Sequence, residues 1–225
     1  MPTLDRDGDV FVLNLGSDEN RFHPDWLSAV TALVEEVDAT EGPRALVTTA
    51  SGKFFSNGLD LDWLAANQDK ANDYVTQVQT LLAKFLTLGV PTVSAIQGHA
   101  FAAGAMLTVA HDYRVMRGDR GYWCLPEVDI YIPFTPGMSA LIMAKLTRQT
   151  RHEAMTTGKR YGGGEALAKA IVDQVEDEDE VLGAAVAWAG ALAAKDGKTL
   201  GAIKSRMYGD VVEKLIDPDI NRLGS

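Results

Sequence analysis

The side chain with the most scope for acid–base chemistry is Glu127, in the stretch LPEVDIYIPF (125–134). There Glu127 and Asp129 stand among Leu125, Val128, Ile130, Tyr131, Ile132 and Phe134. A carboxylate in apolar surroundings is desolvated, which raises its pKa and makes it a better proton acceptor. The structural alternative is that Pro126-Glu127 opens a short helix, where a glutamate is favourable. Two other stretches offer backbone donors. In FFSNGLDLDWL (54–64), Asn57 and Gly58 tolerate left-handed backbone, and Asp60 falls at the expected N-cap of a helix carrying Leu61, Trp63 and Leu64. Such a turn is either a plain strand-to-helix connection or the place where a free N–H meets a substrate oxygen. In QGHAFAAGAM (97–106), Gly98, Ala100, Ala102, Ala103, Gly104 and Ala105 remove side-chain bulk where a strand becomes a helix. That run serves either close packing against a sheet or the exposure of polarised N–H groups at a helix N-terminus.

Other chemistries find little support. The histidines, His23, His99, His111 and His152, have no metal-ligand spacing, so a metal site is not expected. No GxSxG elbow is present, and the GGG at 162–164 follows a helical pattern, as a turn does, without a phosphate-loop context. The single cysteine, Cys124, excludes an internal disulfide and fits a reducing cytoplasm. It reads as a small buried apolar residue. A formal charge of −10 disfavours nucleic acid and anionic membranes as partners. No apolar run approaches the length of a membrane span, and the N-terminus shows no basic-then-apolar secretory pattern.

The elements that must position these groups follow from periodicity in a chain of 225 residues, 46% hydrophobic. DVFVLNLG alternates as a strand. HPDWLSAVTALVEEVDA is an amphipathic helix with Pro24 in its first turn. RALVTTA (44–50) is a buried strand leading into the FFSNG turn. Tyr74, Val75, Val78, Leu81, Leu82, Phe85 and Leu86 form the stripe of a long helix that Gly89 and Pro91 end. PTVSAIQG is a strand, AAGAMLTVAHD a small-residue helix, and DYRVMRG and GYWCL are strands. From Ser139 onward the pattern is helical, interrupted only by VDQV, with the acidic run EDEDE (176–180) as a solvated turn. Strand-helix alternation followed by helices alone argues an α/β fold with a C-terminal helical region.

Taken together, the three stretches resemble the crotonase, or enoyl-CoA hydratase/isomerase, superfamily across roughly Asp9 to Val175. KFFSNGLDL is similar to the family's first oxyanion segment, PTVSAIQGHAFAAGAMLTVAHDYRV to the second, and LPEVDI to the acid/base segment, in the same order and separation. The resemblance implies a crotonase-like ββα spiral core over 1–175. It implies a helical oligomerisation region over 176–225 within the same unit, usually in trimers or dimers of trimers. It implies an acyl-CoA substrate, no other cofactor, and a thioester enolate held by two backbone N–H groups, by position those of Leu59 and Ala103. Glu127 fills the place of one catalytic glutamate, while the place of the second glutamate of hydratases holds Met106. A single glutamate resembles the Δ3,Δ2-enoyl-CoA isomerase branch, and FFSNGLDL, GHAFAAGAM and HDYRVMRGDRG are most similar to its plant-type members. The C-terminal helical portion is shorter than in many hydratases, so the usual cover over the CoA from a neighbouring subunit is not assured. Rival readings are another crotonase reaction, such as hydration, hydrolysis or decarboxylation, and a non-catalytic acyl-CoA-binding protein.

Against the acidic background, CoA phosphates need local cations. Arg21 and Lys53 are the first candidates, with Lys204 and Arg206 behind them. Asn57 and Gly58 shape the first oxyanion turn, and Tyr131 and Phe134 are expected to wall the acyl site. Asp60 and Asp129 are further pocket candidates.

Overall fold

A computed structural model of the protein describes residues 1–221. The chain opens with an antiparallel pair, β1 (Thr3–Asp7) and β2 (Val10–Asn14). Helix α1 (Pro24–Ala39) follows, its first-turn proline preset for helical φ and its Trp26, Leu27, Val30, Val34 and Val37 buried. Strand β3 (Ala45–Thr49) leads to β4 (Phe54–Ser56), then to the short helix α2 (Leu61–Ala66) and the long α3 (Ala71–Thr87). The next turn of the chain runs β5 (Thr92–Ile96), β6 (His99–Phe101), α4 (Ala103–Ala110), and the one after it β7 (Tyr113–Arg117), β8 (Trp123–Cys124). Helices α5 (Pro136–Lys145) and α6 (Arg148–Thr157), strand β9 (Arg160–Tyr161), helix α7 (Gly163–Ala168), strand β10 (Gln174–Glu176), and helices α8 (Val181–Leu192) and α9 (Gly197–Ile216) complete it.

From β3 to β8 the strands alternate between two sheets, which winds this part of the chain into a spiral. One sheet has the order β1-β2-β3-β5-β7-β10, parallel except at β1, and the other has β4-β6-β8-β9, parallel except at β9. Strands β3 and β5 are buried along their whole length, as parallel strands covered on both faces must be. One face carries Leu46 into the main core with α1 and α3. The other carries Ala45, Val47, Val93, Ala95 and Val115 against Val181, Ala185 and Ala189 of α8.

That second face bears on the expected oligomerisation region over 176–225. The apolar breadth of VLGAAVAWAGALAA, which argues for burial against another subunit, is largely accounted for within the chain: α8 lies on the six-stranded sheet, and its Trp188 stacks on Tyr113 at 4.5 Å. The C-terminal half also contains β9 besides β10, so VDQV is not its only interruption. Strand β9 is two residues on an edge, too short to show a period. No helix among the described residues is long and apolar enough to cross a membrane.

Helix α9 packs along α3 and α5. It is fixed by Lys204, whose Nζ donates to the carbonyls of Leu88 (3.0 Å) and Val90 (2.9 Å) and meets Asp112 Oδ2 at 2.6 Å. Burial lowers the Lys204 pKa and Asp112 opposes that shift. Lys204 is therefore an internal tie and not a surface cation available to a ligand.

Candidate active site

The FFSNG stretch is strand β4 followed by a turn, and the loop Glu19–Phe22 clamps it in place. Asn20 Nδ2 donates to the carbonyls of Phe54 and Phe55, at 3.2 and 3.1 Å. Ser56 Oγ donates to Asn20 O (2.8 Å) and accepts from the Gly58 N–H (3.1 Å). The Asn57 N–H goes to Glu19 O, and Gly58 O accepts from the Phe22 N–H, both at 2.8 Å. Asp60 caps α2 by accepting from the Trp63 N–H at 3.1 Å, and its own N–H donates to the Tyr74 hydroxyl. Between these bonded groups the Leu59 N–H has no acceptor among the described residues.

The turn lies directly against the start of α4. Gly58 has φ +81°, and a Cβ there would stand 2.9 Å from the Ala103 nitrogen and 2.9 Å from Phe101 O. A Cβ on Gly104 would stand 2.5 Å from Ser56 O. The small residues of both stretches thus permit backbone to touch backbone. Ala102, at the N-cap of α4, has φ +51° and ψ −125°, a region that side chains other than glycine's enter only under strain of about 1–3 kcal/mol. The Ala102 N–H donates to Cys124 O and its carbonyl accepts from Met106, while the Ala103 N–H finds no acceptor among the described residues. The strained residue turns the following peptide so that this N–H is left for something outside the chain.

Leu59 and Ala103 both line a cavity of about 360 Å³ whose wall also includes Asn57, Met106 and Glu127. Glu127 is 6% exposed and its Oε2 has no hydrogen-bond partner in the protein. Burial pushes its pKa up to about 8, only partly offset by its own backbone N–H. It is held by a tight loop and not by a helix: Pro126 O accepts from the N–H groups of Asp129 and Ile130, and Glu127 O from that of Ile132. Among the described residues Glu127 is the only carboxylate on the cavity wall. Met106, 1% exposed, faces the same space with a thioether that can neither give nor take a proton.

Other assignments shift. Arg21 lies in a carboxylate cluster, with Nε 2.5 Å from Glu19 and Nη1 2.6 Å from Asp62. Lys53 is exposed and sits over the Phe54 ring, and Arg206 is exposed on α9. None of the three lines the cavity. Tyr131, at φ +59°, is 92% exposed, and Phe134 packs partly into the core. Both line a separate pocket that shares Glu127 with the cavity, and they leave the cavity wall to Ile130, Ile132, Pro133 and Met138. Asp129 packs its carboxyl against Gly158, the left-handed C-cap of α6, and stays outside the cavity. Cys124 is buried, its Sγ bonded to Gly158 O. Among the described residues the one cation on the cavity wall is Arg160, which lies over the Phe101 ring and has no carboxylate partner among them. It sits in GKRYGG, where no spacing marks it out.

Comparison with known proteins bears on this arrangement. The enoyl-CoA hydratase/isomerase family model matches residues 9–218. Enoyl-CoA delta isomerase 3 of Arabidopsis thaliana is 38% identical across 100% of this chain and 99% of its own length. The peroxisomal enoyl-CoA delta isomerase 2 of the same plant is 39% identical over 94% and 93%. A protein of Mycobacterium tuberculosis, described in one structure as an enoyl-CoA isomerase and in another as a probable enoyl-CoA hydratase, superposes with a TM-score of 0.87 at 26% identity, the former covering 95% of this chain and 93% of that one. Human mitochondrial Δ3-Δ2-enoyl-CoA isomerase shares the fold at a TM-score of 0.89 and 22% identity, covering 96% and 86%. The spiral, the facing amides and the sequence matched from end to end converge: this chain belongs to the enoyl-CoA hydratase/isomerase family.

Proposed function

We propose that the protein is a Δ3,Δ2-enoyl-CoA isomerase that works with one carboxylate. The observation that carries this reading is the composition of the cavity wall: two unpaired backbone donors, one desolvated glutamate, and a methionine where hydration would require a second acid or base. The relatives named as enoyl-CoA delta isomerases support it.

In this reading the thioester oxygen of a 3-enoyl-CoA sits between the Leu59 and Ala103 N–H groups. Removing a C2 proton places negative charge on that oxygen, and preorganised donors meet it without reorganisation. The loss of one such donor typically costs about 10²–10³-fold in rate. Glu127 takes the C2 proton and returns it at C4, leaving the conjugated 2-enoyl thioester. One base serves both steps when it reaches both carbons across a single face of the dienolate. Met106 and Met138 on the wall keep water from the dienolate, so the proton on Glu127 returns to C4 before it exchanges with solvent, and they leave no acid or base to activate a water against the 2-enoyl product. The reaction as written calls for no metal and no redox cofactor, coenzyme A being part of the substrate.

The decisive experiment supplies a 3-enoyl-CoA and crotonyl-CoA separately to one enzyme stock and follows the conjugated absorbance. Fast conjugation of the first with negligible loss of the second is expected. Hydration of crotonyl-CoA as fast as isomerisation would overturn the reading.

The same proposal includes a cytoplasmic, self-associating protein, most simply a trimer. Exposed Ile203, Met207 and Ile216 on α9 support the association. Light scattering at micromolar concentration should return a mass near three chains, and a monomer would end that part of the claim.

A further inference from the structure

Among the described residues, three on the cavity wall have polar side chains: Glu127, Arg160 and Asn57. The first is the base and the second an unpaired cation, but nothing in the local structure calls for the third. The left-handed step of the turn falls on Gly58, at φ +81°, and Asn57 itself is outside that region. The helix that follows is capped by Asp60. The Asn57 N–H donates to Glu19 O at 2.8 Å, which holds its backbone. Its carboxamide has no hydrogen-bond partner among the described residues. A half-buried carboxamide that the fold does not use is both a donor and an acceptor for a ligand.

The sheet order says which part of a substrate lies on that side. Asn57 and Leu59 come off β4, Ala103 off β6 and Glu127 off β8, and the strands run in the order β4-β6-β8 with β4 at the edge. In the isomerase reading the thioester oxygen lies between the Leu59 and Ala103 amides, and C2 and C4 reach toward Glu127, hence toward β8. The sulfur and the arm beyond it therefore leave over the edge strand, on the side of Asn57. The first amide of the pantetheine arm is four single bonds from the thioester carbon, about 5 Å when extended, and two residues of chain span at most about 7 Å. Asn57 stands two residues before Leu59, so its carboxamide is within reach of that amide. We propose that Asn57 recognises the first amide of the pantetheine arm, pairing with its N–H, its carbonyl or both, and so selects amide-bearing thioesters over plain alkyl ones. This rests on the isomerase reading for its orientation. The contact is the same before and after proton transfer, so it acts on KM and not on kcat.

The test varies the protein and the substrate together. Wild type and Asn57→Ala, which keeps the backbone bonds of the turn, are given three thioesters of 3-hexenoic acid: the CoA, the N-acetylcysteamine and the S-pentyl thioester. The second keeps the amide and the third lacks it. Loss of a neutral hydrogen-bonding partner typically costs up to about tenfold. Asn57→Ala should lower kcat/KM about tenfold on the first two, through KM, and less than twofold on the S-pentyl thioester. An equal loss on all three would make Asn57 a structural residue, and no loss on the CoA thioester would remove it from the substrate; either result overturns the proposal. Calorimetric titration of hexanoyl-CoA, which cannot react, should show the same tenfold weakening in Asn57→Ala, and unchanged affinity would also overturn it. Because that titration needs no turnover, failure of the wild type to conjugate 3-hexenoyl-CoA reports on the isomerase reading separately.

Discussion

A methyl group on Gly58 would stand 2.9 Å from the backbone nitrogen of Ala103. The two segments that present free N–H groups are thus in contact through their backbones, and glycine is what permits it. Gly58→Ala meets both this contact and a φ of +81°. We expect a loss of about 1–3 kcal/mol in stability and of about 10²-fold in kcat/KM, read by thermal melting and by 3-enoyl-CoA conjugation. Unchanged turnover would show that the spacing of the two amides does not matter.

Glu127→Gln should keep ligand binding and remove most of the turnover, a drop of about 10²–10⁴-fold. In the wild type the base is active when deprotonated, so kcat/KM should rise with pH and level off above about 8. Stability runs the other way. A carboxyl whose folded-state pKa is raised stabilises the fold fully below its unfolded pKa, and that contribution is lost as pH rises through the folded value. Glu127→Gln should therefore melt close to the wild type at pH 4 and clearly above it at pH 9, as differential scanning calorimetry would record.

Ala102→Gly tests the strain at the N-cap of α4. Glycine accepts φ +51° and ψ −125° without penalty. It also loses more chain entropy on folding, by about 0.4–1 kcal/mol. Relief of strain is the larger effect, so we expect a net gain of about 1 kcal/mol, with isomerase activity retained. A clear destabilisation in chemical denaturation would show that the Ala102 methyl does packing work.

Lys204→Met leaves Asp112 and the carbonyls of Leu88 and Val90 without their shared donor. Breaking a buried pair on one side typically costs about 3–5 kcal/mol. The expected signature is a large fall in urea midpoint, with KM for the CoA thioester unchanged at temperatures where the variant is folded.

Arg160→Ala removes the unpaired cation from the cavity wall. We expect KM for CoA thioesters to rise several-fold and kcat to fall by less than twofold. An equal fall in kcat would mean that Arg160 acts on the reacting atoms.

Much of the site is legible in the sequence, because its parts are backbone donors and one glutamate, and these leave local marks. Asn57-Gly58 announces a turn, the alanines and glycines of 97–106 announce close approach, and Glu127 stands out among apolar neighbours. The cations are not legible. Whether Arg21, Lys53, Lys204 or Arg160 is free depends on tertiary partners such as Asp62 for Arg21 and Asp112 for Lys204, each far off in sequence and on another element. Helix α8 misleads for a related reason: its apolar faces cannot say whether a sheet of the same chain or another subunit will cover them. Strand β1, with Asp5, Arg6 and Asp7 exposed on an edge, carries no hydrophobic alternation to read.

The order β4-β6-β8 in the smaller sheet has a mechanical consequence. Leu59 follows β4 by three residues, Ala103 follows β6 by two, and Glu127 follows β8 by three. All three groups thus hang from the same end of adjacent parallel strands. Neighbouring strands are held about 4.8 Å apart by their hydrogen bonds, so the ladder itself acts as the ruler for the spacing of the donors and the base. Helices and loops elsewhere on the spiral can lengthen or shorten without moving that ruler, and one scaffold can exchange its pocket linings while its reactive groups stay in register.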